Sequence, residues 1–345
     1  LTGLVMCGLG YLFMGKIFGS MSLSPEVSAY CWEYLSRYLL FTVPILLMNN
    51  FTLYMIAAGK ASLSLLCSVA GGVTNIVLDL LFVLAFRMGV AGVAIATTLA
   101  QVVSAMLVCA SLGRSKDIYR LEMRRVRLDR VMTRETIRIG LPSGLQSVLF
   151  SLSNILITTS INGFGTSTVA AWVALGKVDA MNWMIVGAFG VSVTTFVGQN
   201  YGARRYERVS KSMRVCMVLC EATTILFSLL AVCFSRQIFS LFTQDEEVLE
   251  TSIRMLNFMV KCYWLYVPIE MISGTLRGTG NVLVPTMITA LGICGIRVVW
   301  MLAVVPHWHV LESIMFSYPF SWILTSLAFV VYYLKTRRRL LPAQE

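Results

Sequence analysis

The chain has 345 residues, 57% of them hydrophobic and only 13% charged, and its mean hydropathy is +0.76. Soluble domains run at about 45–50% apolar and about 25% charged residues, and a soluble fold of this length could not hide so much apolar surface; the composition excludes that class and predicts a membrane protein. The formal net charge of +11 does not point to nucleic acid, because lysine and arginine gather between apolar stretches, at 114–134, 204–214 and 335–339, as in the cytoplasmic loops of membrane proteins.

The chain opens on Leu1 inside an apolar run, 1–18, with no basic leader or cleavage site, so it does not begin like a signal peptide and reads as joined in mid-protein. A spanning helix needs about 20 mostly apolar residues. About ten segments qualify: 1–18, 33–55, 61–86, 92–112, 137–161, 168–197, 209–234, 251–276, 282–305 and 311–334. Alternating sides across these segments puts Lys60, the 114–134 cluster, Arg204, Arg205, Arg208, Lys211, Arg277 and the 335–339 tail on one face. The other face keeps scattered Lys16, Arg37, Arg87, Arg236 and Arg254 beside the acidic run Asp245, Glu246, Glu247 and Glu250. The basic face is predicted to be cytoplasmic, with both ends of this chain inside and the protein multi-pass in the plasma or inner membrane.

The hydrophilic stretch 114–134 mixes acids with bases and is expected to form a short surface helix. It divides the chain into 1–112 with four helices, a linker over 113–135, and 136–345 with six. Transporter folds pair repeats of equal helix number, so four plus six suggests six plus six with two missing. Val43-Pro44-Ile45 and Val267-Pro268-Ile269, each ahead of a glycine turn at Gly59 or Gly280, are traces of such a repeat.

Several stretches then resemble the multidrug and toxic compound extrusion (MATE) transporters. Gly140-Leu-Pro-Ser-Gly-Leu-Gln-Ser resembles the opening of that family's second lobe. Asn162-Gly-Phe-Gly followed by Val169-Ala-Ala resembles its next outer turn. Phe196-Val-Gly-Gln-Asn-Tyr-Gly-Ala203 and Leu276-Arg-Gly-Thr-Gly280 resemble the turns before its ninth and eleventh helices. Asn75-Ile-Val-Leu-Asp79 and Gly89-Val-Ala-Gly-Val-Ala-Ile-Ala-Thr97 resemble its fifth and sixth helices. The resemblance covers essentially the whole chain. It implies an all-α, two-lobe transporter of which about ten helices are present, N-terminally truncated by two. The first absent helix would bear an acid implicated in cation coupling. Ile56 and Ala58 depart from an Arg-Ala-Asp-Gly pattern found in some members.

Ionisable groups inside a span cost about 2.5–3.5 kcal/mol on insertion scales, so each needs a reason. Asn75 and Asp79, four apart, share a helix face, and Thr97 sits at similar depth on the next helix. Oxygen ligands suit a hard cation, and a desolvated Asp can take up a proton. The resemblance links these positions to Na⁺ or H⁺ coupling, with Na⁺ at Asp79 the one metal considered. The alternative is a hydrogen-bonded cluster that glues helices. Glu270 and Arg297 are either a buried ion pair or cavity charges for cationic substrates, and Asp179 is a candidate cavity acid. Lys177, two residues before Asp179, should face elsewhere, and Glu221 reads as structural. Trp172, Trp183, Trp264 and Trp300 suit flat lipophilic cations but serve equally as packing. His307 and His309, near Trp308, read as interfacial. The nine cysteines show no metal spacing.

With no nucleophile–base arrangement, an enzyme is not expected, and no cofactor beyond the coupling ion is implied. The expectation is a monomeric secondary antiporter exporting cationic drugs from the bilayer, or alternatively a lipid-linked oligosaccharide flippase. Topology is the first test. In a cysteine-free background, Arg120→Cys should react with an impermeant thiol reagent only after cells are opened; labelling of intact cells would reverse the assigned orientation.

Overall fold

A bilayer offers its interior no water for backbone amides, so a spanning chain must satisfy them within helices or closed barrels. The computed structural model describes residues 2–20, 25–40, 42–115, 120 and 129–340, and no strand occurs among them. The helices are α1 (Thr2–Ser20), α2 (Pro25–Leu40), α3 (Thr42–Ala57), α4 (Ala61–Leu80), α5 (Gly89–Arg114), α6 (Arg130–Asn162), α7 (Thr166–Gly202), α8 (Tyr206–Cys233), α9 (Ser235–Ser240), α10 (Glu246–Met259), α11 (Val267–Gly278), α12 (Leu283–Thr289), α13 (Ile296–Ala303) and α14 (Leu311–Leu340). The chain divides into two compact units, Leu1–Arg127 and Leu128–Glu345.

Among the described residues seven helices are long and apolar enough to cross a membrane, counting α4 with the turn after it and α12 with α13 as single spans. The pair α2 and α3, bent by 56°, makes an eighth if it is one span, and Gly3–Lys16 is a shorter apolar helix. The eighth of the ten apolar segments, 251–276, is not one helix. It is split into α10, a 3₁₀ turn over Tyr263–Tyr266 and α11. Proline explains both divisions. Pro44 and Pro268 carry no amide hydrogen and sit in the first turn of α3 and α11, where that donor is not needed, so each Val-Pro-Ile run opens a new helix, whereas Pro142 and Pro319 are carried inside α6 and α14.

Two further spans contain π turns, Leu81–Ala85 after α4 and Ala290–Gly295 between α12 and α13. Residues 116–119 and 121–128, and with them the expected surface helix, lie outside the described residues. The helix that follows starts cleanly, because the Asp129 carboxylate accepts the Met132 amide at 2.9 Å and so caps a donor the helix cannot satisfy itself.

In the first unit α4 packs on α5, where Gly71 leaves just enough room for Ser104; Met55, Cys67, Val108 and Leu112 fill the core. In the second unit α7 is the central helix. Its buried positions, Ala171, Ala174, Leu175, Val178, Asn182, Val186, Gly190, Val193, Val197 and Asn200, recur every three or four residues and so form one stripe. The stripe meets α11 at glycines. A Cβ on Gly278 would lie 2.7 Å from the Thr194 carbonyl oxygen and 2.8 Å from Val197 Cγ1, and one on Gly274 would lie 2.7 Å from Val193 Cγ1. This is the small-xxx-small spacing that lets membrane helices touch backbone to backbone.

A methyl group at that contact must push a backbone aside, and overpacking of this kind costs about 1–3 kcal/mol. Gly278→Ala should therefore lower the melting temperature of the purified protein by several degrees. Gly187→Ala, on α7 but with open space around it, should not; equal melting of the two variants would show that the contact is slack.

Candidate functional site

The second unit holds a cavity of about 630 Å³. One wall is α6, through Phe150, Asn154 and Thr158. The facing wall is α7, through Trp172, Asp179 and Trp183, and Tyr266, Glu270, Arg297 and Tyr318 close the remainder. All three predicted cavity charges thus line one space. Lys177 is exposed and does not line it, because positions two apart on a helix point some 200° apart.

The charges are held in three ways. Asp179 accepts a hydrogen bond from the Tyr263 hydroxyl, which comes from the 3₁₀ turn 84 residues away. Glu270 forms an ion pair at 2.6 Å with Arg277 on its own helix, seven residues on and therefore on the same face. Its carboxylate lies over Gly190, where a Cβ would meet Oε1 at 2.5 Å. Arg297, only 4% exposed, donates from Nε to Ser321 Oγ at 3.2 Å, and its guanidinium carbon lies 4.0 Å from the Tyr318 ring centroid and 5.8 Å from that of Trp322. The pairing of Glu270 with Arg297 that the sequence allowed is not formed. Arg277 takes the carboxylate, and among the described residues Arg297 has no carboxylate partner, its charge resting on a hydroxyl and on aromatic faces.

Those rings form a connected cluster. Trp183 stands edge-on to Tyr266 with centroids 4.7 Å apart and to Trp322 at 5.8 Å, and Tyr318 stands edge-on to Trp322 at 5.8 Å. Trp172 also lines the cavity, whereas Trp264 is half exposed elsewhere and Trp300 packs on Phe316 and Phe320. Sequence reading missed Tyr263, Tyr266, Tyr318 and Trp322. Only Tyr266 carried a signal, its four-residue spacing from Glu270. It also missed Asn182, fully buried on α7 with neither amide atom hydrogen-bonded among the described residues.

In the first unit Asn75 and Asp79 lie one turn apart on α4, and Thr97 is on α5, which packs against it. Asn75 Nδ2 and Asp79 Oδ1 are both buried without a hydrogen-bond partner, and no hydrogen bond joins either to Thr97 among the described residues. A buried carboxylate oxygen left unpaired is costly. Either a half-turn of the Asn75 amide offers its oxygen beside Asp79, which makes a pair of oxygens fit for a cation, or Nδ2 swings to donate to Asp79. The donor chemistry fits a hard cation. Among the described residues no group of three His, Cys, Asp or Glu side chains is placed to hold a metal ion.

The MatE family model matches residues 142–302, which takes in every cavity-lining residue except Tyr318. The probable multidrug resistance protein YoeA of Bacillus subtilis (strain 168) is 26% identical over 343 residues, 96% of this chain and 74% of its own length. The probable multidrug resistance protein NorM of Thermotoga maritima is 24% identical over 297 residues, 85% of this chain and 64% of its own. Solved structures share the fold at 20% identity. An outward-facing multidrug resistance MATE family transporter of the MOP superfamily matches with a TM-score of 0.88 over 99% of this chain and 77% of that one. A MOP superfamily transporter from Pyrococcus furiosus Vc1, for which a reverse polarity of the binding pocket suggests a different function, matches with 0.89 over the same shares. Family match, relatives and fold all point the same way: the chain is similar to the MATE membrane transporters over most of its length.

Proposed function

We propose that the protein exports lipophilic organic cations across the cell membrane in exchange for Na⁺ or protons, with the basic loops facing the cytoplasm. The observation that carries this reading is the cavity lining: two carboxylates, Asp179 and Glu270, together with the indoles of Trp172 and Trp183. A flat cation gains from both, through Coulomb attraction in a medium poorer than water and through the ring quadrupole. Arg297 favours a second reading, a lipid-linked oligosaccharide flippase, because a guanidinium without a carboxylate partner suits a phosphate. Lining carboxylates outnumber guanidiniums, which supports the cation.

The two readings separate in one assay. Cells that lack their own pumps and express the protein should expel ethidium while the ion gradients stand and retain it when they collapse. Ethidium retention that ignores the gradients, together with movement of undecaprenyl-linked sugars, would favour the flippase. On the purified protein, Asp179→Asn should weaken ethidium binding about tenfold, equivalent to about 1.4 kcal/mol, with little change in melting temperature. Unchanged binding would remove Asp179 from the substrate site.

For coupling, the reading assigns Asp79 as the charged ligand, with Asn75 and Thr97 beside it. What supports it is the pair of unpartnered polar atoms on α4. Asp79→Asn keeps the shape and removes the charge. Interhelical hydrogen bonds in membranes average about 0.6 kcal/mol, so a cluster that only glues helices would tolerate the change. A coupling site would not: gradient-driven export should cease while ethidium binding persists. Full export at normal expression would sink the assignment.

A further inference from the structure

A second cavity, of about 450 Å³, opens between α7 and α8 on the side that the basic loops assign to the cytoplasm. Ser192 and Phe196 line it from α7, and Arg208, Lys211, Ser212, Val215 and Cys216 from α8. The positions 208, 211, 212 and 215 follow the spacing of a single helix face. Along that face the chemistry changes once. Arg208 and Lys211 lie within the first two turns of α8, at the mouth, and Val215 and Cys216 lie deeper. From Arg208 to Cys216 is eight residues, or about 12 Å of helix.

The mouth is positive and its charge is not neutralised by the protein. Among the described residues neither Arg208 nor Lys211 forms an ion pair, and Glu207, four residues before Lys211, pairs with neither. The floor is apolar and open: Phe196 and Val215 are 48% and 46% exposed. Ser212 is turned inward, its hydroxyl bonded to the Arg208 carbonyl, so it offers the floor no free donor. A phosphate belongs at the mouth and a hydrocarbon chain below it, and one molecule of the cytoplasmic leaflet supplies both in that order and over that length. Anionic lipids concentrate in that leaflet, where each juxtamembrane base contributes attraction.

We propose that the α7–α8 groove binds an anionic phospholipid, its phosphate between Arg208 and Lys211 and the start of one acyl chain against Phe196 and Val215. The site is separate from the cation cavity, and the inference stands whether or not that cavity carries drugs.

The test uses the purified full chain in detergent, titrated with phosphatidylglycerol while its melting temperature is followed. The melting temperature should rise by several degrees with phosphatidylglycerol and hardly at all with phosphatidylcholine. The double variant Arg208→Gln/Lys211→Gln should need at least tenfold more phosphatidylglycerol for half the rise. Lys335→Gln/Arg337→Gln removes the same charge from the end of α14 and should respond as the parent does. Phe196→Ser, which leaves both bases in place, should also weaken the response. Equal stabilisation by phosphatidylcholine, an equal loss in the two double variants, or a full response to inorganic phosphate alone would each overturn the proposal.

Discussion

The geometry of the second unit hangs on how closely α11 approaches α7. Three glycines set that distance. Gly274 and Gly278 bring the α11 backbone against Val193, Thr194 and Val197, and Gly190 clears the place where the Glu270 carboxylate lies. With a side chain at Gly190, Glu270 could not occupy its position, and the ion pair with Arg277 would have to move with it. The 3₁₀ turn that precedes α11 is fixed by the same approach, and it delivers Tyr263 to Asp179 and Tyr266 to the cavity wall. In lipid no hydrophobic force drives two helices together; contact depends on backbone packing, and here the packing sets the chemistry of the cavity.

Helix irregularities cluster at the ionisable groups. The π turn Leu81–Ala85 begins two residues after Asp79, the π turn Ala290–Gly295 ends two residues before Arg297, and the 3₁₀ turn Tyr263–Tyr266 ends four residues before Glu270. Each irregular turn changes the hydrogen-bond register and so redirects the side chains that follow it or precede it, and π turns recur at functional sites in helical proteins. Asp179 is the exception. It lies in the uninterrupted α7, and its orientation comes from the helix stripe and from the Tyr263 hydroxyl.

How much of this was legible depended on the range of each interaction. The apolar runs and the shared face of Asn75 and Asp79 are local patterns, and most of those runs, with both residues, fall on helix. The split of 251–276 was also written locally, in Pro268, but the hydropathy of the run masks a single proline. The partner of Glu270 is two helical turns away on the same face, within reach of a periodicity argument. Arg297 drew attention instead because a buried guanidinium demands a partner. It finds one in ring faces, and nothing in the spacing of Arg297, Tyr318 and Trp322 announces that. The contact of Tyr263 with Asp179 spans 84 residues and exists only once α7 and the 3₁₀ turn are packed.

Arg297 limits what the cavity can accept. Its guanidinium already occupies the face of Tyr318, so an entering cation cannot use that ring without displacing it, and displacing a nearly buried Arg from its hydroxyl and aromatic partners would leave the charge unsolvated. The other aromatic side chains on the wall that carries Asp179 are Trp172 and Trp183 of α7. The carboxylate and the two indoles occupy positions 172, 179 and 183 on one helix, at offsets of seven and four residues that keep them on one side. Glu270 and Arg297 line the same cavity from α11 and α13. Under the proposed reading, Arg297 disfavours a second positive charge in the same cavity, because like charges repel most strongly where water is scarce.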